Sequence, residues 1–195
     1  QSSDGPPSPE AWAALAGLVG PGGTALVAGA DLPAPPAGWG VLLAVQGHQM
    51  VAGDLPGAPD LLGPPPGTRR LTADDVPAMV ELVRLTEPGP FQRRTVELGA
   101  YHGVVEGGRL LAMAGERMRL DGHTEISAVC THPDARRRGL AAALTLHVAR
   151  AIAARGETPF LHVAVGNDAA RRVYEGLGFT VRRVVDFQRL EAPGA

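Results

Sequence analysis

Ala128-Val-Cys-Thr-His-Pro-Asp-Ala-Arg-Arg-Arg-Gly-Leu-Ala-Ala142 decides the fold: a β-rich segment breaks at Pro133, passes through three arginines and Gly139, and opens at once into an alanine-rich helix. Backbone N–H groups in the first turn of a helix lack intrahelical acceptors and sit at the positive end of the helix dipole, so such a loop is suited to hold an anion. Gly139 lets the anion approach closely. A helix of about 18 residues is expected next. Thr158-Pro-Phe-Leu-His-Val-Ala-Val165 then reads as a short buried strand. Asn167-Asp-Ala-Ala-Arg-Arg-Val-Tyr174-Glu-Gly-Leu-Gly-Phe179 reads as a second helix with Asn167 at its cap. Asn167 and Tyr174, two turns or roughly 10 Å apart, share one face of that helix.

Upstream, Thr68-Arg-Arg-Leu-Thr72 reads as a short strand, and Thr72 or Asp74 caps a helix whose apolar positions Val76, Met79, Val80 and Val83 follow helical spacing. Pro88-Gly-Pro90 ends it, and Phe91 to Leu98 reads as a further helix. Tyr101 to Glu106, a turn at Gly107-Gly108, and Arg109 to Leu120 form a hairpin, with Asp121-Gly122 turning into Thr124 to Thr131. The expected order from residue 68 onward is strand, two helices, three antiparallel strands, helix, strand, helix, strand.

The spacing Arg136-x-x-Gly139-x-Ala141, followed by the Asn167, Tyr174 and Leu177-Gly-Phe179 pattern, resembles the GCN5-related N-acetyltransferase (GNAT) superfamily. Further stretches resemble its FR47-like branch: Phe91-x-x-Arg94-Thr95-x-x-x-Gly99-x-Tyr101-x-Gly103, Ala112-Met-Ala-Gly-Glu-Arg117, Glu125-Ile-Ser-Ala-Val-Cys-Thr-His-Pro133 and Pro159-Phe-Leu-His162. The resemblance implies an α/β fold with a mostly antiparallel central sheet, a splayed parallel strand pair and helices on both faces. It implies acetyl-CoA as cosubstrate. Val129, Cys130 and Thr131 would meet the pantetheine arm through their backbone, and Asn167 would touch it too. Arg136, Arg137, Arg138, Gly139, Leu140, Ala141 and Ala142 would hold the pyrophosphate.

The implied reaction is direct acetyl transfer to a primary amine in a ternary complex. An alkyl ammonium is mostly charged at neutral pH, so a base is needed, and His162, Glu125 or a water qualifies. Histidine suits the task in pKa. Tyr174 is the candidate general acid, its phenol a proton source for the leaving thiolate. A thiol inside a strand with no cationic neighbour in sequence reads as inert, so no acetyl-cysteine step through Cys130 is expected. Cys130 and His132 share a strand face, but no second Cys/His pair supports a metal site. The rival reading is a catalytically silent acyl-CoA sensor or partner-docking module. The acceptor is open between a small amine, an amino acid and a peptide N-terminus, and a homodimer through the final strand is open as well.

Composition bounds these readings. All 18 basic residues are arginine and the net charge is −2. Residues 1–67 carry five acids and no base, while residues 68–195 carry a surplus of three positive charges, which suits an anionic cofactor and is too small for nucleic acid. A single cysteine excludes an internal disulfide and no apolar run reaches membrane-spanning length, so a cytoplasmic location is expected. Gln1-Ser-Ser-Asp4 reads as a processed or expression-derived end.

Glycine and proline make up 25 of the first 67 residues, and the compositional break at Gly63-Pro-Pro-Pro-Gly67 reads as a linker between a small α/β region (1–62) and the main domain (68–195). Within the first region, Pro9 to Gly17 reads as a short helix. Thr24 to Ala28 and Val41 to Val45 read as buried strands, with His48 to Val51 completing a hairpin. Gly20-Pro-Gly-Gly-Thr24 lacks the lysine of a phosphate loop and reads as a simple turn. Few residues remain after Gly178 for the usual last two strands, so residues 1–67 are expected to lend a strand to the sheet.

Overall fold

The computed structural model describes residues 7–55 and 63–194; the segment Gln1–Asp4 lies outside them. In chain order these residues form α1 (Pro9–Val19), β1 (Thr24–Gly29), β2 (Gly40–Ala52), β3 (Thr68–Leu71), α2 (Val76–Thr86), β4 (Tyr101–Glu106), β5 (Arg109–Leu120), β6 (His123–Thr131), α3 (Leu140–Ala153), β7 (Thr158–Ala164), α4 (Asp168–Gly176) and β8 (Phe179–Glu191). The architecture is mixed α/β and mostly antiparallel, with one parallel pair. Two compact units divide the chain.

The larger unit, Met50–His162 with Asp168–Thr180, has strand order β7-β6-β5-β4-β3. Neighbours from β3 to β6 pair antiparallel, and β6 with β7 is parallel. β5 is buried over seven consecutive residues because helices cover both its faces, α2 on one and α3 on the other. On the α2 side Met79, Leu82, Phe91, Tyr101, Met113 and Cys130 form one apolar cluster. The apolar stripe read in α2 accounts for its buried Met79 and Leu82.

β6 holds the feature that positions everything else. Between the pairs Met113↔Cys130 and Gly115↔Ser127 it carries one more residue than β5, and Ala128 there adopts a left-handed φ of 53°. Such a bulge bends its strand. The register of β6 with β7 ends just before this bulge, at Ile126↔Leu161.

In the smaller unit, formed by the described residues up to Gln49 with Val163–Asn167 and the stretch from Val181, the strand order is β1-β8-β2, with the end of β7 beyond β2. β1 pairs antiparallel with β8, from Thr24↔Glu191 to Gly29↔Asp186. Just past β7, the Val165 N–H donates to the Gln46 carbonyl at 2.9 Å. Residues 1–67 thus contribute two strands to this order, β1 and β2. β1 accompanies β8 over Asp186–Glu191 only.

Four sequence expectations are corrected. Phe91–Leu98 is not an α-helix: a 3-10 turn spans Arg93–Leu98, because the Thr95 hydroxyl takes the Gln92 N–H at 2.8 Å and closes a local turn instead. His48–Val51 does not form a hairpin arm, since β2 runs unbroken through Gly47, where a Cβ would meet the Phe187 ring at 3.0 Å and the Val163 carbonyl at 3.3 Å. Val41 to Val45 are not buried: Val41, Leu42, Leu43 and Val45 are all 43–51% exposed, and α1, which packs on β1, has no buried residue of its own. α3 is also shorter than expected, at 14 residues, because Gly156 at φ 77° closes the turn after it.

Candidate active site

Past Ile126, no further pair between β6 and β7 forms among the described residues. The His132 N–H donates to the Leu111 carbonyl of β5 at 2.7 Å. Strand alternation then turns the peptide groups of Cys130 toward β5 and those of Val129 and Thr131 toward the open side. The Thr131 hydroxyl is buried without a partner.

The loop that follows has the geometry of an anion cradle. Arg137 (φ 63°) and Gly139 (φ 73°) both adopt left-handed conformations, and Gly139 is the N-cap of α3 with no side chain to serve it. The Ala143 N–H bonds the Gly139 carbonyl at 3.0 Å, which leaves the N–H groups of Leu140, Ala141 and Ala142 without helical acceptors. Arg138 is forked on Glu106 at 2.5 and 3.1 Å, holding that carboxyl below its usual range. Arg136 and Arg137 form no ion pair among the described residues. A Cβ on Gly139 would meet nothing within 4 Å. Unsatisfied N–H groups, two uncommitted guanidinium groups and open space fit a pyrophosphate.

Beside the divergence stands a buried relay. Glu125 on β6 is 1% exposed and accepts from Arg117 Nε on one oxygen and from an Arg117 terminal nitrogen on the other, each at 2.8 Å. His162, the first residue of β7 past the last pair with β6, places Nδ1 2.8 Å from the oxygen that takes the terminal nitrogen. Burial alone would raise the Glu125 pKa, but hydrogen bonds from His162 and Arg117 outweigh it and the group lies below its ordinary value. An ionised carboxylate only accepts, so Nδ1 of His162 carries a proton toward Glu125. The Phe160 ring stands edge-on to the imidazole at 5.7 Å. Behind the relay, burial pushes the Tyr101 hydroxyl up to about 12, and it has no partner.

His162 and Glu125 stood as rival bases in the sequence; the fold makes them partners. Arg117 was missed as a site residue. In the run Glu116-Arg117-Met118-Arg119 nothing distinguishes an inward guanidinium from a solvated one. Glu116, also 1% exposed, is held by Arg119 at 2.9 Å and Arg155 at 3.0 Å.

Tyr174 on α4 is 8% exposed, and burial, aided by the neighbouring Cys130, raises its hydroxyl to about 12. It stays protonated across the neutral range, and its mismatch with a thiolate is wider than an unperturbed phenol implies. The Cys130 thiol is raised by burial to about 11, with Thr86 and the Met113 backbone opposing the shift. A buried, protonated thiol is a poor nucleophile. Asn167 directly precedes α4 and donates its N–H to the Ala164 carbonyl at 3.0 Å; it belongs to the smaller unit. Among the described residues no three His, Cys, Asp or Glu side chains group to hold a metal, and no helix is long and apolar enough to cross a membrane.

Residues 99–187 match the family of FR47-like proteins. Among solved structures, a protein of Novosphingobium aromaticivorans DSM 12444 assigned to the GNAT family of acetyltransferases is 41% identical, with a TM-score of 0.83 over 96% of this chain and 82% of that one. A GNAT-family acetyltransferase from Colwellia psychrerythraea is 16% identical, with a TM-score of 0.60 over 76% of this chain and 57% of that one. The ribosomal-protein-S18-alanine N-acetyltransferase from Escherichia coli is 24% identical, with a TM-score of 0.52 over 66% of this chain and 94% of that one. The last two are similar in fold alone. No curated protein matches the chain.

Proposed function

Since this chain belongs to the GNAT superfamily of acetyltransferases and carries its FR47-like domain, we propose that it moves an acetyl group from acetyl-CoA directly onto a primary amine within a ternary complex. The observation that carries the reading is the Arg117–Glu125–His162 relay at the point where β6 and β7 part, in the same unit as the open N-terminus of α3.

Acetyl-CoA supplies an activated thioester. Its pyrophosphate is assigned to the N–H groups of Leu140, Ala141 and Ala142 with Arg136 and Arg137, while Arg138 shares its charge with Glu106. Val129 and Thr131 present peptide groups to the pantetheine arm, and Cys130 lies between them facing β5. Nε2 of His162 takes a proton from the incoming amine, and Glu125 stabilises the imidazolium that results. Tyr174 directs its O–H at the departing sulfur and supplies the proton that completes coenzyme A. Its raised pKa makes hydrogen bonding to the developing charge as important as the proton transfer itself.

The acceptor class stays at primary amines, whether small amines, amino acids or peptide N-termini. Residues 68–195 are proposed as the acetyltransferase domain, with 1–62 as an N-terminal α/β region joined through 63–67. The cysteine count and the absence of a long apolar run suit a cytoplasmic enzyme.

The test is thiol release from acetyl-CoA across a panel of amines. His162→Ala should lower kcat by about 10²–10⁴-fold while acetyl-CoA affinity stays near wild type. Unchanged kcat would remove His162 from the mechanism. No turnover with any amine, but intact cofactor binding, would favour a silent acyl-CoA sensor.

A further inference from the structure

Glu125 is held by more charge than orienting an imidazole requires. A carboxylate whose only task is to steer His162 could be satisfied by neutral donors. Here both its oxygens are taken by one guanidinium whose side chain is itself only 16% exposed. Buried arginine–carboxylate forks are costly to assemble and survive where they set geometry or charge. With His162 neutral, the three side chains carry no net charge. Without Arg117, a bare carboxylate 2.8 Å from Nδ1 would favour the imidazolium, which cannot accept a proton from an amine.

We propose that Arg117 is a positioning residue that keeps His162 a proton acceptor at neutral pH, by cancelling the charge of Glu125 and fixing the plane of its carboxylate. The inference rests on the acetyl-transfer reading of this site. It deepens that reading by assigning the groups that govern its pH range.

Among the described residues, four strands bring groups to the relay. From β4 comes Tyr101, uncharged and buried, whose hydroxyl feels Arg117, Glu125 and Glu116. From β5 come Arg117 itself and Glu116, whose charge is met by Arg119 and Arg155. β6 supplies Glu125, and β7 supplies His162 with the uncharged Phe160 ring beside it. The Pro90 carbonyl lies 3.5 Å from a terminal nitrogen of Arg117, a dipole only.

The sign follows directly. Arg117→Gln removes a cation that repels the imidazolium and uncovers an anion that attracts it. Both effects raise the pH at which His162 loses its proton, by about one unit or more. Arg117→Lys keeps the charge but loses the two-pronged grip, so that pH should move little while kcat falls. Arg117→Met combined with Glu125→Gln removes both charges together and should return the midpoint to the wild-type value or below it.

The experiment is a ¹³C–¹H NMR titration of the His162 imidazole in these three variants and wild type, its resonance assigned by its loss in His162→Gln, alongside the pH profile of kcat/KM. Expected are an upward shift of the His162 midpoint and of the acid limb in Arg117→Gln, and little shift in Arg117→Lys. An unmoved midpoint in Arg117→Gln, or the same shift in Arg117→Lys, overturns the proposal. Should Arg117→Gln fail to fold, the doubly substituted protein decides: a midpoint raised above wild type refutes charge cancellation. Because the titration needs no substrate, a wild-type protein inactive on every amine would defeat the acetyl-transfer reading while leaving the charge relationship independently measured.

Discussion

Replacing Gly139 by glutamate and by alanine separates the cost of backbone strain from the cost of charge at the start of α3. Gly139 sits at φ 73°, ψ 5°, a conformation that costs any residue with a Cβ about 1–2 kcal/mol. For a protein of this size that is a loss of roughly 2–8 °C in Tm. Both variants carry this strain, and neither meets protein atoms at Cβ, since the position is open to 4 Å. They differ in one negative charge. A carboxylate about 6 Å from a pyrophosphate bearing two charges is repelled by about 1.4 kcal/mol at the dielectric of water, and by about four times that where the effective value is nearer 20. Titration calorimetry of acetyl-CoA should therefore show Gly139→Glu binding at least about tenfold more weakly than Gly139→Ala at low salt. The gap should narrow in high salt as the charges are screened. Equal affinity for the two variants, both folded, would place the pyrophosphate elsewhere and refute the reading of the α3 terminus.

Tyr174→Phe should leave the Kd for acetyl-CoA nearly unchanged and lower kcat, by rapid-quench or steady-state thiol release; an unaltered kcat would make Tyr174 a packing residue. Gly115→Ala should destabilise by about 1–3 kcal/mol in denaturant unfolding, because its Cβ would lie 2.2 Å from the Tyr101 ring; a fully stable variant would mean that β4 and β5 can shift apart. Arg69, forked on Asp75 at 2.6 and 2.8 Å, holds that carboxyl down to about 2 from its usual 3.8. A depressed carboxyl pKa gives stability that is complete above the unfolded value and fades as pH falls from about 4 toward 2. Arg69→Ala should therefore lower Tm at pH 7 and flatten the acid decline over that window, and a constant Tm difference down to pH 2 would contradict the assignment.

The parts of the fold visible in the sequence were those where a local rule and the tertiary structure agree. Gly107-Gly108 and Asp121-Gly122 turn where expected, and α2 buries the stripe its spacing marks. Arg136 to Ala142 forms the loop-to-helix transition that Pro133 and Gly139 announce. Legibility failed where partners decide. Val41 to Val45 has the composition of a buried strand, yet burial depends on what covers it, and these side chains stay 43–51% exposed. Phe91 to Leu98 has helical composition, but a single Thr95 hydroxyl turns the chain into a 3-10 form. In the site, residue types suggested His162 and Glu125 separately. Their union through Arg117 depends on the register of β5 against β6 and on a bulge at Ala128, and neither is written in any short motif. Ala128 in particular is the last residue from which a left-handed φ would be read, because its side chain gives no hint of it.

β1 and β2 find their neighbours late. β2 lies between β8 and the end of β7, and β1 pairs with β8, so strands made within residues 24–52 wait for strands that begin at Thr158. On a ribosome adding roughly 5–20 residues per second, that interval is several seconds. During it Val41, Leu42, Leu43 and Val45, apolar even in the finished protein, have nothing to pair with. The nascent chain thus carries an apolar strand whose sheet neighbours are made much later, so its backbone pairing is among the last contacts the sheet can form.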